Sequence, residues 1–302
     1  MKAKTFAICI VSHNREIDLI YTIEKLREID RFDECTLYVF MDGYFEEIDH
    51  LKEKWPTIKW FESKTNIGAS KARKLVYEQI SETYIIGFDD DSHSLNLNLF
   101  NIVENTFNND HNIGVIAFSE IKGLYSEEEL TQKINQISIQ VPKKSNEFIG
   151  CGYAIRRDLY NLTNGFPSFI NIYGEESFVS FEIMKLGYDI LHLPELIVHH
   201  RVNRQIREKE GYNTFRYNKQ LAHSIVFYYC YYPYPIMMWK ILKLAYHNFK
   251  KYALRDFNYF FNFFKGVLKA IYIIMITKDL KNTSSNYIIQ KYESTNGARL
   301  TY

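Results

Sequence analysis

Cysteine is scarce: Cys9, Cys35, Cys151 and Cys230 are scattered through 302 residues with no CxxC spacing. That pattern excludes a disulfide framework and points to a reducing compartment. Net charge is nearly absent as well, with Lys+Arg 37 against Asp+Glu 36 and a formal balance of +1. A nucleic-acid binder relying on a large positive field is therefore not expected. There is no GxGxxG, since Gly150-Cys151-Gly152 lacks the third glycine, and no GxxxxGK[ST]. Dinucleotide and P-loop readings lose their fingerprints. The basic start Met1-Lys2-Ala3-Lys4 leads into an apolar run that closes on Ser12-His13-Asn14-Arg15 without a small-residue cleavage pattern, so it reads as a first strand and not as a signal peptide.

What the chain does have is a short apolar run, Tyr84 to Phe88, that discharges into Asp89-Asp90-Asp91. Side chains alternate along a strand, so Asp89 and Asp91 are expected on one side and Asp90 on the other. Two carboxylates with no cysteine beside them suit Mg²⁺ or Mn²⁺, ions that complete their shells with water and phosphate oxygens. An acidic turn is the plainer reading of the same residues, and the neighbouring segments decide between the two.

Those neighbours alternate strand and helix. Phe6 to Val11 is continuously apolar, as in a strand covered on both faces, and Ile20, Ile23 and Leu26 then recur at helical spacing. Leu37 to Met41 and Ile58 to Phe61 read as further strands, the first ending at Asp42-Gly43. Asn66 to Arg73 opens a helix with Lys71 and Arg73 near its start, a plausible anion site. Leu97 to Phe107 reads as a helix, Ile113 to Ser119 as a strand, and Gly123 to Asn146 as a polar loop carrying a short helix. Gly174-Glu175-Glu176 starts a helix that Gly187 stops, and the strand stretches 188–193 and 196–198 lead to His199-His200-Arg201. The fold class is α/β with a mostly parallel central sheet, whose ligands bind beyond the carboxyl ends of the strands.

In this order the pieces resemble the family 2 glycosyltransferases of the GT-A fold, a Rossmann-like sheet flanked by helices. The matching residues are Val11 to Arg15, Asp42-Gly43, Asn66 to Arg73, Phe88 to Asp91, Gly152 to Arg157 with Gly165-Phe166, Gly174 to Glu176, and Leu186 to Glu195 leading to His200-Arg201. Together they span roughly the first two thirds of the chain. The resemblance implies an inverting transfer of a sugar from a UDP-, dTDP- or GDP-linked donor to a saccharide or lipid-linked acceptor, in the making of a bacterial surface polysaccharide. It implies that Ser12, Asn14, Arg15 and Asp42 hold the nucleotide base, and that Asn66 and Arg73 flank base and diphosphate. Asp90 and Gly152 join Asp89 in the donor site, and Asp89, Asp91 and His200 are the metal ligands of a DxD motif. Glu176 falls where the family places its base, with Glu175 the other candidate. Met41 stands where the family often has a first acid, and Glu176 is one methylene longer than the usual aspartate. Processive synthases are disfavoured by the lack of a QxxRW motif and of a set of spanning helices. A catalytically silent scaffold or membrane-associated binding protein on the same fold is the alternative.

From Tyr212 the composition turns aromatic. Residues 1–210 are expected to form the catalytic domain, 211–280 a helical region and 281–302 a polar, loose tail. Residues 225–276 read as amphipathic helices with lysine stripes, suited to lying at a membrane interface and too often interrupted by polar residues to span it. Packing on the catalytic domain or in a homo-oligomer is the other use of such faces. The expected location is the cytoplasm, peripherally on the inner face of the membrane.

Overall fold

The computed structural model describes residues 5–137, 140–203 and 212–295. The chain opens with β1 (Phe6–Ser12), α1 (Glu16–Leu26), β2 (Cys35–Asp42), α2 (Asp49–Lys54), β3 (Lys59–Ser63), α3 (Ala69–Tyr77) and β4 (Tyr84–Asp89). It continues through β5 (Ser92–Ser94), α4 (Leu99–Asn109), β6 (Ile113–Lys122), α5 (Glu127–Ile137), β7 (Lys143–Ser145), β8 (Tyr153–Arg156), α6 (Arg157–Asn161), α7 (Glu175–Lys185) and β9 (Asp189–His200). Helices close it: α8 (Tyr212–Tyr231), α9 (Tyr234–Asn248), α10 (Phe257–Ile276) and the shorter α11 (Asn286–Ser294).

The strands form one nine-stranded sheet in the order β3-β2-β1-β4-β8-β6-β9-β5, with β7 paired to β9. β1 to β4, β6 and β9 run one way; β5, β7 and β8 run against them. The sheet is thus mostly parallel, as the alternating pattern predicts. Its core lies on both faces: Phe6, Ile8 and Ile10 of β1 pack to one side, Ala7 and Cys9 to the other. This double burial is why β1 is apolar at every position instead of every second one.

The segments 188–193 and 196–198 are a single strand, β9, and its register against β6 jumps between Ala117–His192 and Ser119–Ile197. Pro194 lies in the jump, where its missing N–H costs no ladder bond. α5 and β7 occupy the stretch expected as a polar loop.

Aromatic packing fastens the C-terminal helices to the rest. Phe178 and Phe181 of α7 meet Phe227 and Tyr231 of α8 at ring separations of 4.5 to 5.7 Å. Tyr231 also donates to Glu182 Oε1 at 2.7 Å. The stretch from residue 281, expected to be loose, carries helix α11, capped by Ser285 and holding Tyr292 5.1 Å from Phe181. Its apolar residues Ile289 and Tyr292 recur three apart, a short stripe that a mostly polar composition hides. By length and composition alone, α10 is long and apolar enough to cross a membrane. Lys265 and Lys269 are its only charged residues, too few to lower its hydropathy below that of a span.

Candidate functional site

The site gathers where β1 and β4 end side by side, Val11 opposite Asp89. β4 ends at Asp89, so Asp90 and Asp91 lie in the turn after it, and that turn brings Asp91 beside Asp89 and His200. Asp90 is fully buried, accepts from Ser12 Oγ at 2.8 Å, and its carbonyl takes a bond from Thr22 Oγ1 at 2.7 Å. Burial pushes its carboxyl up to about 7 against the pull of Arg15, which pairs with it. Asp90 and Ser12 therefore brace the turn from within.

The pairing of β5 with β9 sets Ser92 opposite His200, which carries a histidine 109 positions downstream to the aspartates. His200 Nε2 lies 2.9 Å from Asp91 Oδ1, and its Nδ1 meets Glu120 Oε1. One ligand atom from each of Asp89, Asp91 and His200 falls within 4.8 Å of the others. Burial opposes charge on His200, but contacts with Cys151, Asp91 and Glu120 outweigh it and hold the imidazole well above its usual range. Glu120 and Cys151 form a second such group with the same histidine. Neither was singled out from sequence; an acid near the carboxyl end of the β6 apolar run was the available signal for Glu120. The adjacent Arg201 points elsewhere, to Thr22 Oγ1 at 2.7 Å and to the Asp18 carbonyl at 3.2 Å, and serves α1.

Arg73 joins the aspartates to α7. Buried in the middle of α3, it donates from Nη2 to Asp89 Oδ1 at 2.6 Å and from Nη1 to Glu175 Oε1 at 3.2 Å. Glu175 is 2% exposed, and burial with the neighbouring Glu176 pushes its carboxyl up to about 8 despite Arg73. Burial raises Glu176 too, again with Arg73 opposing. Glu176 is the less enclosed of the pair, and Oε1 lies where a Cβ on Gly150 would sit 2.6 Å away. Gly150 is thus the residue whose lack of a side chain lets Glu176 and Arg73 approach the strand turn.

The remaining candidates divide. Asp42 is buried and accepts from the N–H groups of Ile67 at 2.7 Å and Gly68 at 2.9 Å, so it holds the turn before α3 in shape. Gly68 has φ +90 and abuts Asn171, a place only glycine fills. Asn66 is exposed and donates to His13 Nε2 at 3.1 Å, while His13 Nδ1 bonds the Asp42 carbonyl at 2.6 Å. His13, another residue not singled out, thereby ties the β1 turn to the α3 turn. Asn14 is exposed with φ 53, and Arg15 stands partly open at the rim, paired with Asp90 and Asp91. Gly152 is buried and packed so that a Cβ would strike Val198.

No protein-family model matches the chain, and no curated protein matches it in sequence. Solved structures do match in shape. A mannosyltransferase from Pyrobaculum calidifontis, in complex with GDP-Man and Mn²⁺, superposes with a TM-score of 0.58 at 12% identity, over 97% of this chain and 80% of that one. The chain has the GT-A fold. Residues 1–349 of S. aureus TarS, in complex with UDP, match this GT-A chain with a TM-score of 0.54 at 14% identity, over 96% of it and 91% of that chain. GalNAc-T7 with UDP, GalNAc and Mn²⁺ matches with a TM-score of 0.53 at 16% identity, over 66% of this chain but only 43% of its own length.

Proposed function

We propose that this GT-A chain is an inverting glycosyltransferase that uses a nucleotide-sugar donor and Mn²⁺ or Mg²⁺. The observation that carries the reading is the convergence of Asp89, Asp91 and His200 at the carboxyl end of β4, with Arg73 linking them to the two carboxyls of α7. Two carboxylate oxygens and an imidazole nitrogen fit such a cation and leave positions for diphosphate oxygens. A cation held by these residues would supply charge neutralisation for the departing diphosphate. The nucleotide complexes of the matched structures support the same ligand class.

This chain's own residues do the rest. The turns after β1 and β2, with Asn14, Asn66 and the His13 link, form the base-binding rim, and Arg15 adds positive charge beside the diphosphate. Glu176 takes the proton of the acceptor hydroxyl as its oxygen bonds to the anomeric carbon and the bond to the diphosphate breaks. One base and one stabilised leaving group describe a single displacement, hence inversion. Glu175, enclosed behind Arg73, holds that arginine in place. Burial raises the Glu176 carboxyl above its ordinary range, which strengthens it as a base. The acceptor is a saccharide or a lipid-linked saccharide, and the setting is the cytoplasmic assembly of a bacterial surface polysaccharide, which the family 2 resemblance supports.

The test is nucleotide release from UDP-, dTDP- and GDP-sugars with a panel of saccharide acceptors. One donor turned over in Mn²⁺, stopped by EDTA and by Glu176→Gln, supports the proposal. Turnover untouched by both changes overturns it.

A further inference from the structure

Two helices leave apolar faces open to solvent. On α10, Phe263, Gly266, Ala270 and Ile273 pack inward, while Phe257, Phe261, Phe264, Leu268, Tyr272 and Met275 form an exposed stripe at helical spacing. Phe257 is 74% exposed and Leu268 65%. On α9, Trp239, Leu242 and Tyr246 form a second exposed stripe. Monomers rarely expose apolar patches of this kind without a partner.

Charge identifies the partner. Residues 234–281 carry eight lysines and one arginine against two aspartates, in a chain whose whole balance is +1. Lys243, Lys250, Lys251, Arg255, Lys265 and Lys278 are all exposed. Lys243 lies 4.7 Å from the Trp239 ring and Lys250 5.8 Å from that of Tyr246, so cations border the exposed aromatics. A second copy would bring the same positive charge against itself, whereas an anionic bilayer offers the opposite charge and an apolar interior.

The direction of insertion follows from the inner face. Gly266 lets α10 press on the backbone of Asn218 in α8, and Asn218 Nδ2 donates to Asn262 Oδ1 at 2.8 Å. α10 is held along its middle to a helix that is itself packed on α7. Crossing the bilayer would strip it from that support. We propose that α9 and α10 bind an anionic lipid surface, with α10 lying in its plane and its exposed stripe among the acyl chains.

The test needs neither donor nor activity, so it stands or falls apart from the transferase reading. Full-length protein is co-sedimented with phosphatidylcholine vesicles, with and without phosphatidylglycerol, and washed in alkaline carbonate. The expected result is binding that depends on phosphatidylglycerol and is released by carbonate. It weakens at least ~10-fold in F257S/F261S/L268S and in K243E/K250E. Both variants change exposed positions, and unaltered thermal unfolding confirms that each is folded. Equal binding without anionic lipid, carbonate-resistant protein, or undiminished binding by the folded variants overturns the proposal. So does a lipid-free dimer that F257S/F261S/L268S converts to monomer.

Discussion

His200 Nε2 sits 2.9 Å from Asp91 Oδ1 while the other ring nitrogen is taken by Glu120. Glu120 thereby fixes the orientation of a metal-ligand candidate without reaching the open side of the site. Partners of this kind typically change metal affinity by ~10- to 100-fold. Glu120→Gln is accordingly expected to weaken Mn²⁺ binding by that order, measured by calorimetric titration of the folded variant. Affinity equal to the unaltered protein would show that the pair is only structural.

Glu176→Gln keeps the size of the side chain and removes the base. Donor affinity is expected to stay and transfer to fall by about 10²- to 10⁴-fold. Single-turnover kinetics beside donor titration separate the two effects. A drop in affinity with unchanged transfer would reassign the residue to donor binding.

Glu175 has a folded-state pKa raised to about 8 from the ordinary 4.5, by burial and by Glu176, so the folded protein binds the extra proton between those values. Stability from this group is full below about 4.5 and falls as pH rises through about 8. Thermal unfolding across pH 5 to 9 is expected to show that decline, and Glu175→Gln to flatten it. A slope unchanged in the variant would assign the pH dependence to another group.

Tyr231→Phe tests how the C-terminal helices are fastened. It removes the bond to buried Glu182, an expected cost of about 1–3 kcal/mol in urea unfolding, with donor binding unaltered. Loss of donor binding in the folded variant would mean that α8 shapes the donor site.

Much of the architecture can be read from local pattern. The runs at β1, β2 and β4 announce buried parallel strands, whereas the placing of Asp90 apart from Asp89 and Asp91 is made by the turn after β4, beyond the reach of strand alternation. What escapes is set by pairing over long distances. Glu120 reaches His200 because β6 and β9 pair in parallel with a register jump at Pro194; the proline marks an irregularity, but which strand β9 pairs with is not written locally. Asp42 accepts from backbone N–H groups 25 and 26 residues away, partners that no local pattern announces. α11 hides because Ile288, Ile289 and Tyr292 suffice for a helix supported by Phe181 and Phe227.

The central claim is that Asp89, Asp91 and His200 hold a cation that a nucleotide sugar completes. Calorimetric titration of the protein with UDP-, dTDP- and GDP-sugars, in Mn²⁺ and in EDTA, tests it directly. The account predicts that one donor binds in Mn²⁺ alone and that Asp91→Ala abolishes the binding. A folded protein that binds no donor in Mn²⁺, or binds one equally in EDTA and as Asp91→Ala, contradicts it.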